Sequence, residues 1–197
     1  MKISALHEPF EKFSDWLTSA KNSENIVEPT AMCLATVDEK NCPSSRMILL
    51  KSFDERGFCF FTNLTSRKAG ELAKNPNVAL CFYWGILGFQ VRIEGKVEAV
   101  SAQEADDYFA SRRRGSQIGA WSSKQSQEMK SWEEFQARIA QTTEDFAGQE
   151  IPRPPFWSGF RVVPHRIEFW QEGEFRIHQR DVFERCGEGW EVRRIYP

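Results

Sequence analysis

Cations gather in residues 43–68 at positions that a fold alone does not explain. Pro43-Ser44-Ser45-Arg46-Met47-Ile48-Leu49-Leu50-Lys51 reads as a buried strand with a cation towards each end. After a turn and the strand Phe58-Cys59-Phe60-Phe61-Thr62-Asn63, Thr65-Ser66-Arg67-Lys68 starts a helix. A helix N-terminus carries partial positive charge, so Arg67 and Lys68 are unfavourably placed there unless an anion joins them. Wet strand ends would explain Arg46 and Lys51 by themselves. With the basic helix start added, a phosphate site is the better reading.

Two other groups carry similar chemistry. Tyr108, Arg112 and Ser116 recur at a spacing of four and would share one helix face if the helix reached that far, although Gly115 is expected to end it earlier. The run Arg112-Arg113-Arg114 either complements a helix C-terminus or clamps an anion. Arg176, His178 and Arg180 alternate, so on a strand they would project from one face, with Phe175 and Ile177 on the other. That row is either a solvated edge or an anion or substrate site. Neither a Gly-x-Gly-x-x-Gly nor a Walker loop is present, and the three histidines (His7, His165, His178) lie far apart, which argues against a His-rich metal site. A phosphate site among aromatics with no evident protein nucleophile points to a cofactor that carries the chemistry.

The elements that must position these residues can be read from periodicity and punctuation. Pro9 opens a helical pattern with Phe10, Phe13, Trp16 and Leu17 on one face. Strands are expected at about 31–38, 45–53, 58–63, 78–84 and 90–100, with a short helix at about 66–75. Ser101-Ala102-Gln103-Glu104 is a capping box for a helix to about Ser111, and Ser131-Trp132-Glu133-Glu134 repeats the signature for a helix ending near Phe146. After the Pro152-Arg153-Pro154-Pro155 loop, strands are expected at about 159–163, 166–171, 175–185 and 189–195, the last two joined through Gly187-Glu188-Gly189. Short strands with tight turns and inserted helices imply a mainly β protein with α: an antiparallel barrel with peripheral helices.

The 197 residues fit a single domain, 1–197, and a net charge of −2 gives no general attraction to nucleic acid or membrane. Five scattered cysteines (Cys33, Cys42, Cys59, Cys81, Cys186) support neither a disulfide framework nor a zinc site. No signal-peptide core or membrane-length apolar stretch appears, so a cytoplasmic location is expected.

Several segments, in this order, resemble the pyridoxine/pyridoxamine 5′-phosphate oxidase family: Ser45-Arg46-Met47-Ile48-Leu49-Leu50-Lys51, Phe61-Thr62-Asn63 with Ser66-Arg67-Lys68, and Tyr108-Phe109-Ala110-Ser111-Arg112. The run Gly115-Ser116-Gln117-Ile118-Gly119-Ala120-Trp121 with Ser122-Ser123-Lys124-Gln125-Ser126 continues the match, and Pro152-Arg153-Pro154, Ile167-Glu168-Phe169-Trp170-Gln171 and Arg176-Ile177-His178 complete it. The resemblance implies a split-barrel, Greek-key flavoprotein homodimer with FMN at the subunit interface. FMN contacts would fall on Arg46, Met47, Ile48, Leu49, Leu50 and Lys51, on Phe61, Thr62, Arg67 and Lys68, and on Gln90, Gln125, Ser126, Trp170 and Arg180. The substrate phosphate would be held by Lys51, Tyr108, Arg112 and Ser116, and the pyridine ring by the catalytic pair Arg176 and His178.

The implied reaction transfers a hydride from the 4′ carbon of pyridoxine or pyridoxamine 5′-phosphate to the flavin. Dioxygen then takes the electrons, giving pyridoxal 5′-phosphate and hydrogen peroxide. Two alternatives share the fold: a split-barrel flavin oxidoreductase acting on another ring, and a non-catalytic FMN- or pyridoxal-phosphate-binding protein. Three departures from the family pattern stand out. Gln179 replaces the acid of its Arg-x-His-Asp-Arg motif, Gly88-Phe89 replaces a Glu-Arg pair, and the N-terminal lid of many members is expected to be absent or replaced.

Overall fold

Small and apolar side chains alternate in burial along Ala31–Val37, as a strand with one face in the core requires. The computed structural model describes residues 2–4 and 7–197. In chain order the elements are β1 (Lys2–Ser4), α1 (Glu8–Lys21), β2 (Ala31–Val37), β3 (Pro43–Leu49), β4 (Ser52–Asp54), β5 (Gly57–Asn63), α2 (Arg67–Lys74) and β6 (Asn77–Trp84). They continue with β7 (Phe89–Ala99), α3 (Ala102–Ser111), α4 (Arg114–Ser122), α5 (Trp132–Asp145), β8 (Trp157–Gln171), β9 (Gln179–Cys186) and β10 (Gly189–Arg194). The strands form one antiparallel sheet ordered β1-β10-β9-β8-β7-β6-β2-β3, with β5 pairing both β4 and β8. The sheet curls into the expected split barrel.

Helix α1 fills the barrel's open side. Phe10, Phe13, Leu17 and Ala20 are buried at helical spacing. The ring of Phe13 meets those of Phe53, Phe58 and Phe82 edge-on at 4.9, 5.0 and 5.1 Å. Trp16 stacks on Phe89 at 4.1 Å, so the residue that departs from the family's charged pair is an aromatic closing the seam between α1 and β7.

Four stretches differ from the sequence expectation. The strand expected at 45–53 divides at Leu50-Lys51, because Leu50 N–H donates to Thr30 O while Lys51 N–H turns to Cys59 O. The two strands expected between 159 and 171 are one. Gly95 pairs with Pro164 and Glu94 with Arg166, leaving His165 as a bulge that carries β8 past its proline.

The helix α3 ends at Ser111, before Gly115, and Arg112 and Arg113 are extended. Gln117 then donates to the carbonyls of Phe109 and Ala110, capping α3 from the unforeseen helix α4, whose first turn contains Gly115. Tyr108, Arg112 and Ser116 therefore do not share a helix face.

The row Arg176, His178, Arg180 also fails as a strand face. Phe175 and Arg176 adopt φ of 54° and 64° in a short turn, and β9 begins only at Gln179.

Because Phe13 joins α1 to three strands, Phe13→Ala should lower the unfolding free energy by about 3–5 kcal/mol. Urea denaturation measures this, and a loss below about 1 kcal/mol would show that α1 does not hold the barrel closed.

Candidate functional site

A cavity of about 1110 Å³ opens between β3, β5, the start of α2 and the α3–α4 break. Its walls carry six cations, Arg46, Lys51, Arg67, Lys68, Arg112 and Arg113, and no Asp or Glu. In a chain of net charge −2 this is a concentrated positive field facing one space.

At one end lies the start of α2. Its N-cap, Ser66, makes no side-chain cap bond, and its first turn contains no acid. Lys68 is buried, and its Nζ donates to Gln125 Oε1 at 2.7 Å, to Thr62 Oγ1 at 2.9 Å and more weakly to Ser66 Oγ at 3.4 Å. Those acceptors are all neutral. Burial, and then the charge of Arg46, push Lys68 down to about 8 despite the opposing pull of Glu71. A buried ammonium held only by neutral oxygens is a site awaiting an anion.

Arg67 is better satisfied than its position at the helix start implied. Its Nε donates to Glu71 Oε1 at 2.8 Å, one turn along α2. Arg46 reaches the same carboxylate, with Nη2 at 3.0 Å from Oε2, and also bonds Ser44 Oγ and Leu34 O. Sequence reasoning missed Glu71, although its i,i+4 spacing from Arg67 was a usable signal.

At the other end, Phe61, Tyr108 and Trp157 form an aromatic wall, with Phe61–Tyr108 centroids 4.1 Å and Phe61–Trp157 centroids 5.4 Å apart. The Arg112 guanidinium lies over Trp157, with Cζ 4.9 Å from the ring centroid. Its Nη1 is buried with no hydrogen-bond partner among the described residues, and burial pushes the guanidinium down from its ordinary value. Lys51 and Ser116 line the same cavity. Trp157, absent from the sequence reading, enters through the β5–β8 pairing, which no local pattern announces.

The sequence candidates thus divide in two. Arg46, Met47, Ile48, Leu49, Lys51, Phe61, Thr62, Arg67, Lys68, Tyr108, Arg112, Ser116, Gln125 and Ser126 line one cavity. The side chain of Leu50 points into the core instead.

Gln90, Trp170, Arg176, His178 and Arg180 lie elsewhere. Gln90, Trp170 and Arg180 are register neighbours across β7, β8 and β9, and the Trp170 and His178 rings are 4.5 Å apart. His178 Nδ1 accepts from Gly173 N–H at 3.3 Å, which leaves Nε2 to carry the proton of the neutral ring. Arg180 donates through Nε and Nη2 to the buried Glu168 at 2.8 and 2.7 Å, and through Nη1 to Tyr196 O. The guanidinium is therefore anchored without the acid that Gln179 replaces.

The donor set fits a phosphate-bearing flavin. A phosphate would find Lys68 and the arginines at the start of α2, and a flat ring would find the β3 wall and Phe61. The Arg112 guanidinium, on the cavity wall, offers a second anion contact. No cluster of three or more His, Cys, Asp or Glu that could hold a metal occurs among the described residues. No helix among them is long and apolar enough to cross a membrane.

The family model described as Pyridoxamine 5′-phosphate oxidase matches residues 19–170. That described as Pyridoxine 5′-phosphate oxidase C-terminal dimerisation region matches residues 157–197. The pyridoxine/pyridoxamine 5′-phosphate oxidase of Myxococcus xanthus (strain DK1622) is 52% identical over 190 residues, covering 96% of this chain and 92% of that one.

Among solved structures, PhzG from Burkholderia lata 383, in complex with tetrahydrophenazine-1-carboxylic acid, superimposes with a TM-score of 0.90 at 33% identity, covering 96% of this chain and 92% of the other. A pyridoxamine 5′-phosphate oxidase-related, FMN-binding protein from Nostoc punctiforme PCC 73102 shares the fold, with a TM-score of 0.77 at 17% identity and coverage of 95% and 96%. By the extent of these matches, the chain belongs to the pyridoxamine 5′-phosphate oxidase family.

Proposed function

We propose that this protein is an FMN-dependent oxidase that converts pyridoxine or pyridoxamine 5′-phosphate to pyridoxal 5′-phosphate. Dioxygen is consumed and hydrogen peroxide released; from the amine, water hydrolyses the imine formed and releases ammonia. The observation that carries the reading is a cavity lined by six cations and no carboxylate, with anion-seeking groups at both ends. One anion would be the cofactor's phosphate, near Lys68 and Arg67; the other would be the substrate's, near Lys51, Tyr108, Arg112 and Ser116. FMN, when bound, supplies the two-electron redox chemistry.

The chain's own residues bind and orient. Lys68, with Thr62 and Gln125, neutralises the cofactor phosphate. Arg112, already desolvated against Trp157, gains an acceptor for Nη1 when a substrate phosphate arrives, so the contact costs little further dehydration. His178, with its proton on Nε2, and Arg176, which has no acceptor among the described residues, hold the pyridine ring.

In one chain these two residues, with Gln90, Trp170 and Arg180, stand apart from the cavity. A homodimer would bring one copy's His178 cluster to its partner's cavity, and the match of residues 157–197 to a dimerisation region supports that assembly. The likeness to PhzG favours a second reading, oxidation of a phenazine precursor. The 52% identity to a pyridoxine/pyridoxamine 5′-phosphate oxidase, against 33% to PhzG, weighs against it.

The purified protein loaded with FMN should bleach under anaerobic pyridoxine 5′-phosphate, and should form pyridoxal 5′-phosphate and peroxide when air is admitted. Failure to bleach with either 5′-phosphate, but reduction by a dihydrophenazine, would favour the second reading. Bound flavin that no such substrate reduces would mark a carrier.

Two further outcomes are expected. FMN affinity should be greatest where the phosphate is a dianion and Lys68 is charged, between about pH 6 and 8. Lys68 titrates near 8 in the empty protein and is held charged once an anion binds, so affinity should fall as pH rises, by about tenfold between pH 7 and 9. Flavin fluorescence quenching measures this, and a flat profile to pH 9 would remove Lys68 from the phosphate contact. His178→Ala should lower kcat while the flavin stays bound; release of the flavin instead would move His178 to the cofactor.

A further inference from the structure

Glu71 puts a negative charge where the phosphate site calls for positive charge. The side chain is only 6% exposed. Its Oε1 accepts from Arg67 Nε at 2.8 Å and from Ser44 Oγ at 2.9 Å, and Oε2 accepts from Arg46 Nη2 at 3.0 Å and from Thr36 Oγ1. Burial pushes its carboxyl up, but the bonds from Thr36, Ser44, Arg67 and Arg46 outweigh this and hold it at about 2. It is therefore ionised at every pH at which the protein would work, and repels a bound phosphate. Its presence calls for a compensating role.

Two features of the geometry supply one. Arg67 is 66% exposed and would sample many rotamers as a free surface side chain. Glu71 ties it through Nε, and the two Nη groups donate to no acceptor among the described residues. A guanidinium tethered at Nε keeps its terminal fork for an oxyanion, the geometry that suits a phosphate.

The second feature is charge. Arg46, Arg67 and Lys68 with one carboxylate leave two positive charges, which matches a phosphate monoester in its dianionic form. Without Glu71, three cations would crowd one site. Lys68 already feels Arg46, since after burial that charge is the next cause of its descent to about 8.

Resting on the FMN reading above, we propose that Glu71 is a positioning residue of the phosphate site. It presents the Arg67 fork to the phosphate, so that the protein selects a flavin bearing a phosphate monoester over one without it, and its charge offsets the mutual repulsion of Arg46, Arg67 and Lys68.

Dissociation constants for FMN and riboflavin, read by fluorescence quenching, test this in the wild type, Glu71→Gln, Arg67→Ala and the double variant. The wild type should bind FMN at least 100-fold more tightly than riboflavin. Glu71→Gln should lose at least tenfold in FMN affinity while riboflavin stays within twofold. In the Arg67→Ala background the same change should cost threefold or less, because the residue acts through Arg67.

Equal losses for both flavins would make Glu71 a structural support and overturn the proposal, as would tighter FMN binding or a full loss in the Arg67→Ala background. A wild type that does not discriminate overturns the FMN reading and the proposal with it. A discriminating wild type whose Glu71→Gln variant is unchanged overturns the proposal alone. If Glu71→Gln does not fold, Glu71→Asp, which keeps the charge but withdraws the carboxylate, should show a loss confined to FMN, and an unchanged FMN-to-riboflavin ratio there is equally fatal.

Discussion

Strand β8 has to satisfy backbone partners on three strands. Residues 157–162 pair with β5, residues 166–171 pair with β9, and nearly the whole length pairs with β7. A straight strand cannot serve both halves of a curled sheet, and the bulge at His165 provides the bend. Each of its two ends contributes to one of the two residue clusters. Trp157, at the first residue, completes the aromatic wall with Phe61 and Tyr108. Glu168 and Trp170, near the last, anchor Arg180 and meet His178. One strand therefore sets the separation between the cavity and the His178 cluster, the gap that the proposed homodimer would close.

The electrostatics follow a division of labour. Buried carboxylates do not line the cavity; they stand behind it and hold guanidiniums. Glu71 ties Arg46 and Arg67 behind the start of α2, and Glu168, 1% exposed, ties Arg166 and Arg180 beneath the other cluster. Each arrangement satisfies a buried charge through several bonds, which is the condition for tolerating it. Two cations without a carboxylate partner among the described residues, Lys68 and Arg112, line the cavity, where a ligand can supply the missing charge.

Much of this was legible along the chain because its causes are local. Ser101 and Ser131 mark helix starts through side-chain bonds to Glu104 N–H and Glu134 N–H, and both bonds are present. The turn at Gly187-Glu188 follows from a residue able to take φ of 58°. The cations of 43–68 were visible as an anomaly because helix polarity is a property of the local backbone. The breaks were less legible. The turn at Phe175-Arg176 uses left-handed conformations in residues that rarely adopt them, and the α3–α4 break depends on Gln117 reaching back to carbonyls of the preceding helix.

By itself the sequence determined most of the order of elements, the apolar faces that form the core and the residue types that seek an anion. Each of these depends on neighbours within a few positions. Tertiary structure alone decided which cations share a space, that Glu71 balances Arg46 from β3 as well as its helix neighbour Arg67, and that Lys68 is left with neutral partners. Those outcomes depend on distances between β2, β3, α2 and the loop carrying Gln125. Electrostatic energy depends on separation in space and on burial, and neither can be read from spacing along a chain.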